Sequence, residues 1–234
     1  MKKSCLKKQK GFTYSELLII LVLLGVISSF TIPVVMNRAN ENSFQTALLK
    51  AYKTLGEAYN MVYEVSGNMS NKYTYATEAN IEDFYNKIAK HLNIMKSCGH
   101  NNTSLTGDCF KQAQGGSNGI APGFQSNALT KKNAVFILED GTSVGITPLE
   151  EGETVESYGI NSADRLDSEY YVTRVDINGA KGPNKVGKDV FAFVYTVDGG
   201  LLPAGADNNS ANCGSEEASY NYDCTAKVLN LLNQ

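Results

Sequence analysis

Glu16 is a carboxylate one turn inside an apolar stretch, and Leu17 to Met36 behind it carry no charge. An ionised carboxylate in surroundings built for lipid is costly unless it is paired, so the group that pairs with Glu16 is the first chemical question the chain poses. Farther along, Cys98, Cys109, Cys213 and Cys224 fall in two pairs with ten residues inside each. Thiols at this spacing could close two small loops as disulfides, or join His100 around a zinc ion. A third set, Asp176, Asn178 and Asp189, brackets a glycine-rich segment in which side-chain oxygens could wrap a calcium ion.

The element that positions Glu16 is a membrane helix. Phe12 to Met36, rising about 1.5 Å per residue, is long enough to cross a hydrocarbon core of roughly 30 Å. Ahead of it stand Lys2, Lys3, Lys7, Lys8 and Lys10 with no acidic residue among them. By the positive-inside rule the N-terminus is expected in the cytoplasm, with everything after Met36 on the far side of the membrane. A secretory signal also begins with lysines, but it ends in a small-residue cleavage site, and Ser28-Ser29-Phe30-Thr31-Ile32-Pro33 offers none.

Gly11-Phe12-Thr13-Tyr14-Ser15-Glu16-Leu17-Leu18 resembles the class III leader of type IV pilins and type II secretion pseudopilins: a short basic leader ending in Gly, then Phe-Thr, then Glu at the fifth mature position. Gly25 and Pro33 fall where these families place a helix-loosening glycine and proline, whereas Tyr14 and Ser15 replace their usual Leu and Ile or Val. The resemblance implies that a prepilin peptidase cuts between Gly11 and Phe12 and methylates the new amino terminus. The freed amine, with an unperturbed pKa of about 8, would then be the partner of Glu16, reached between neighbouring subunits of a growing filament. Other pilin or pseudopilin subunits and an inner-membrane assembly platform are the further partners implied. So is a pilin-like fold and, as in major pseudopilins, a calcium loop in the C-terminal part.

Loss of the leader removes five of the 21 basic residues and none of the 24 acidic ones, leaving 16 against 24, a formal charge of −8. That balance argues against a general nucleic-acid surface, although Lys131-Lys132 could form a local basic patch. Past Pro33, Phe44, Leu48, Tyr52, Leu55, Tyr59 and Val62 recur at three and four, with Asn40, Glu41, Gln45, Lys50, Lys53 and Glu57 on other faces. This predicts that the helix continues, amphipathic, to a stop at Ser66-Gly67-Asn68. A second helix is expected from Ile81 to Met95, with Ile81, Phe84, Ile88 and Leu92 on one face, Asn80 and Asp83 as a capping signal, and His91 as a residue of its C-terminal turn. Cys5 leaves with the leader, so an even four cysteines remain on the oxidising side. Of the three possible connectivities the simplest is Cys98–Cys109 with Cys213–Cys224. Zinc is disfavoured by the lack of a C-x-x-C pair, and a Cys/His nucleophile by the lack of an orienting group.

The period then changes from three and four to two. Ala134 to Leu138 and Ser143 to Ile146 predict a hairpin around Asp140-Gly141, and Tyr170 to Ile177 and Val190 to Val197 predict two more strands, followed by a turn at Asp198-Gly199-Gly200. Two helices and then an antiparallel meander make an α+β fold. Between the last two strands, Ala180 and the absence of a closing Glu rule out an EF-hand, and Asp, Asn, Gly and Pro there also serve ordinary turns. The tail is expected to be a stapled surface loop ending in an apolar segment, Val228, Leu229, Leu231 and Leu232, that docks back on the domain.

The expected organisation is a leader (1–11), a membrane or filament-core helix (12–36), its amphipathic continuation (37–67) and an extracytoplasmic globular domain (68–234). The expected function is structural, not enzymatic: a pilus or pseudopilus subunit, since the sequence shows no nucleophile with its base, phosphate loop or metal cluster. The rivals are a minor pilin for adhesion or DNA uptake, and a signal-anchored extracytoplasmic binding protein or enzyme that keeps its leader.

Overall fold

The computed structural model describes residues 11–66, 78–100, 109, 134–148, 155–161, 171–179, 181–182, 184–196, 200–207, 213, 222 and 224–230. The basic leader, Gly67-Asn68, Lys131-Lys132, Asp198-Gly199 and Leu231-Leu232 lie outside these residues, as do the side chains of Pro33, Asn40, Glu41, Asn80, Ile81 and His100. The chain divides into two compact units, Met1–Ser43 and Phe44–Gln234, and helix α1 (Tyr14–Ser66) contributes to both.

In the first unit the helix begins where its sequence caps it. The Thr13 carbonyl accepts the first helical hydrogen bond, from Leu17 N at 3.1 Å, and its hydroxyl accepts one from Glu16 N at 3.3 Å. Farther along, the Ser29 and Thr31 hydroxyls donate back to the carbonyls of Val26 and Ile27. In this way the hydroxyls of an apolar helix meet acceptors without water.

In the second unit α1 presents the expected stripe. Leu48, Leu55, Tyr59 and Val62 are buried with Ala51 and Ala58 between them, and Phe44 and Tyr52 pack at the edge of the same cluster. Helix α2 (Glu78–Ala89) adds Phe84, Tyr85 and Ile88. It ends sooner than expected. Lys90 and His91 donate to the carbonyls of Lys87 and Ile88 in a closing turn, and the chain is extended again from Ile94.

Six strands, β1 (Ile94–His100), β2 (Ala134–Leu138), β3 (Ser143–Pro148), β4 (Tyr171–Asp176), β5 (Val190–Thr196) and β6 (Gly200–Pro203), form one antiparallel sheet in sequential order. The fold is thus α+β, with an N-terminal apolar helix and an antiparallel meander. The four strands expected from period-two patterning are β2 to β5. The outer two were not expected: β1 begins inside the helix expected to reach Met95, and β6 follows the expected turn at Gly200. β1 is broken by register shifts between Ile94 and Lys96 and between Ser97 and Gly99, so its side chains do not alternate cleanly. β6 has only four residues and ends on Pro203, which suits an edge strand.

Alternation along the strands sorts the core into two layers. From β4 and β5, Tyr171, Val175, Phe191, Phe193 and Tyr195 join the cluster under α1 and α2. There Tyr59 stacks on Tyr195 with ring centroids 4.4 Å apart, and Phe84 on Tyr171 at 4.8 Å. Val172, Val190, Ala192 and Val194 face the other way, onto Tyr222, Cys109 and a 3-10 turn (Val155–Tyr158). With both faces covered, β5 is buried along its whole length, which is why Val-Phe-Ala-Phe-Val-Tyr-Thr is a continuous apolar run. On the second face Arg174 is buried, donating to Thr147 Oγ1 and, at 2.7 Å, to the Tyr158 hydroxyl. Helix α3 (Cys224–Asn230) packs on the sheet: Thr225 Oγ1 accepts from Ala192 N, Leu229 reaches the first cluster and Val228 packs at its edge, so the expected docking is seen for these two residues.

Candidate functional site

Gly11, Phe12, Thr13 and Glu16 stand together at the start of α1. Phe12 is 80 % exposed, and nothing lies within 4 Å of the place a side chain would occupy on Gly11. Glu16 is not bare. Its Oε2 accepts from Thr13 N and from Thr13 Oγ1, both at 2.8 Å, while Glu16 N donates to the Thr13 hydroxyl. Thr at the cap with Glu three residues on is a capping box, which satisfies two orphan donors of a helix end and places a negative charge at its positive pole. The sequence carries this signal plainly as Thr13-Tyr14-Ser15-Glu16, but the apolar run behind it drew attention to the carboxylate's cost and away from its neighbour.

Behind this cap, every large apolar side chain from Leu17 to Ile32 is 45–74 % exposed. A helix apolar on all sides needs a protein core or lipid around it. By length and composition Tyr14–Ile32 is able to cross a membrane, a test that a signal sequence near an N-terminus also passes.

Both expected disulfides are formed. Cys98 pairs with Cys109, their Cα atoms 6.3 Å apart, and Cys213 with Cys224 at 4.6 Å. The first ties β1 to the residue that packs under the second face, and the second anchors a tail residue to the start of α3. Cys98 and Cys109 therefore offer no thiolates for zinc or for nucleophilic attack. His91 is exposed in the turn after α2.

The β4–β5 connection brings Asp176, Asn178 and Asp189 into one small structure. Both carboxylates are fully buried. Asp189 is the hub: Oδ2 accepts from Asn184 N at 2.8 Å and from Asn178 Nδ2 at 3.2 Å, and Oδ1 from Lys185 N at 2.6 Å. Asp176 Oδ1 accepts from Asn178 N at 3.2 Å, an Asx turn. Burial, and then the neighbouring charge of Asp189, push the Asp176 carboxyl up to about 7. Asn178 Nδ2 also donates to Gly182 O, while Asn178 Oδ1 is buried with no hydrogen-bond partner.

Asn184 completes this structure and was not among the expected residues. It holds a left-handed φ of 49°, which Asn tolerates better than most residues, and its side-chain amide turns inward to Asp176 and the carbonyls of Gly179 and Lys181. Among the described residues no group of three or more His, Cys, Asp or Glu gathers, so any cation held here would rest on amide and carbonyl oxygens as well as carboxylate. For the calcium that the leader's resemblance implies, Asp176 and the orphaned Asn178 oxygen fit, whereas the Asp189 oxygens are already occupied by N–H groups. Compared with known proteins, the chain matches no family model, no curated protein and no solved structure.

Proposed function

We propose that the chain is a structural subunit of a type II secretion pseudopilus or type IV pilus. It is processed after Gly11, methylated at Phe12, held in the inner membrane by its N-terminal helix and assembled into a filament through that helix. The α+β domain forms the outer face, and other pilin or pseudopilin subunits, the prepilin peptidase and an assembly platform are its partners. What supports the reading is the helix end: Glu16 sits four residues after Phe12, at the head of a helix whose large apolar side chains are all exposed up to Ile32.

The capping box gives Glu16 a role at each stage. In the precursor, Thr13 satisfies the carboxylate with short-range hydrogen bonds and starts the helix. Processing then adds a cationic amine at Phe12, and in apolar surroundings the carboxylate gains more from an ammonium of a neighbouring chain than from a neutral donor.

Glu16→Gln separates these roles, because Gln at this position keeps the capping box and loses the charge. The variant is expected to insert and to be processed at wild-type levels while sheared filaments fall roughly tenfold or more, the effect of about 1.4 kcal/mol or more at each subunit contact. Undiminished filament yield would contradict the proposal.

A further inference from the structure

We infer that the β4–β5 loop is a docking arm between copies of this chain: Lys181, Lys185 and Lys188 of one copy meet the side of α1 that carries Glu57 and Glu64 in the next. The inference rests on the filament reading, to which it adds the contact that sets how one domain sits on its neighbour.

Between Asp176 and Asp189 the sequence has three lysines and no acidic residue. The fold sorts these charges. Both aspartates are buried, whereas Lys181, Lys185 and Lys188 are exposed, so all the charge that the loop shows to solvent is positive. The loop is also well held. Asp189 accepts from the backbone of Asn184 and Lys185, Lys188 N and Val190 N donate to Lys185 O, and Gly187 N donates to Val190 O. Among the described residues no carboxylate pairs with any of the three ammonium groups. This arm belongs to a chain that, without its leader, carries 16 basic against 24 acidic residues.

The complementary surface is on α1. Leu48, Ala51, Leu55, Ala58, Tyr59 and Val62 turn one side of this helix to the core. Glu57, Met61 and Glu64, at intervals of four and three, share the opposite side and are exposed. Neither glutamate is ion-paired among the described residues. Lysine fits this surface in both of its parts, since its methylene stem covers the methionine while its ammonium reaches a carboxylate.

One chain cannot close this contact on itself. Lys50 pairs with Asp140 in the β2–β3 turn, and that turn touches the β4–β5 loop where Gly141 O lies against Gly179. The lysine arm is therefore level with Lys50, while Glu57 and Glu64 lie seven and fourteen residues farther along the helix, about 10 and 21 Å. Complementary surfaces at different heights of one body make a heterologous contact, which repeats from copy to copy without closing. Exposed ion pairs are weak, so the arm sets register and orientation and leaves the holding to the apolar helix. A nucleic acid is the poorer fit, because a long polyanion that reached the arm would also meet the surplus of acidic residues.

The test uses the full-length protein in its own host. A short bismaleimide added to sheared filaments of the Lys185→Cys, Glu64→Cys double variant is expected to give a ladder of cross-linked copies. Either single variant is expected to give none, since the cysteines of the domain are tied in disulfides. Glu57→Lys with Glu64→Lys is expected to lower filament yield roughly threefold or more at an unchanged precursor level, and the addition of Lys185→Glu and Lys188→Glu to restore it. Filaments of the double cysteine variant without a ladder would overturn the inference, and so would a charge-reversed chain that assembles as the wild type does. A loss that the swap leaves unrestored would overturn it too, by assigning the lysines to a different anion. Absence of filaments from the wild type would instead contradict the filament reading, and this contact with it.

Discussion

Gly179 stands where a side chain has no room. Its φ is +62°, and a Cβ built on it would lie 2.5 Å from the Gly141 carbonyl oxygen in the β2–β3 turn. Gly179→Ala is therefore expected to cost about 2 kcal/mol or more, from the left-handed backbone and from the displaced turn together. Urea unfolding measures it, and a loss below about 0.5 kcal/mol would mean that the two turns do not touch as described. Tyr59 tests a different kind of residue. Its buried hydroxyl is hydrogen-bonded to Thr173 Oγ1, and burial pushes its pKa far above the usual tyrosine value. Tyr59→Phe leaves the Thr173 hydroxyl facing a ring edge and is expected to destabilise by about 1–3 kcal/mol. At this scale the sequence was legible where one residue type has one job, as with the paired cysteines and Asp140-Gly141. It was not legible where the job depends on a distant partner. Nothing near Asn184 or Gly179 in the sequence announces the carbonyls they meet.

The elements show the same division. The α1 stripe and strands β2 to β5 could be read because a buried face imposes its period directly: Leu48, Leu55 and Tyr59 are wholly buried, as are Val135, Phe136, Val144 and Phe193. β1 escaped because its two register shifts scramble the alternation, and helix α2 was extended too far because Leu92 continues its period after the backbone has turned. Leu92 is buried all the same, so the periodicity reported burial correctly and conformation wrongly. For the joint between α1 and the sheet, Leu55→Ala is expected to cost about 2–5 kcal/mol, since Leu55 is wholly buried and the surrounding core fills only part of the cavity its removal leaves. The ion pair of Lys50 with Asp140, at 2.7 Å, links the same helix to the β2–β3 turn and carries far less, because the lysine is 63 % exposed. Burial alone would raise the Asp140 carboxyl, but hydrogen bonds from Lys50 and Thr142 more than offset it and leave its pKa below the usual value. Its stabilisation is thus present above the ordinary carboxylate range and is lost as the pH falls through the lowered value. Asp140→Asn should change stability by less than about 1 kcal/mol at pH 7 and by still less at low pH; an effect that grew on acidification would show that another group drives it.

At the scale of the whole molecule the two units treat their apolar residues in opposite ways. The domain buries apolar residues on both faces of its sheet and staples its edges with Cys98–Cys109 and Cys213–Cys224. The N-terminal helix, by contrast, exposes Leu17 to Ile32 all round. An exposed apolar helix joined to a domain with its own buried core is what the proposed assembling subunit with a lipid-held precursor requires. Hydropathy and charge change abruptly after Met36; what packs around the apolar helix could not be read, since an apolar face calls for a cover without naming it. The central claim is that this helix enters a filament after its leader is cut, and the state of the N-terminus tests it most directly. Intact mass and N-terminal sequencing of the protein from membranes of its own host are expected to give a chain that begins at Phe12 and carries one added methyl. A chain still beginning at Met1, in cells whose peptidase processes another prepilin, would contradict the account and leave an extracytoplasmic domain on a signal anchor.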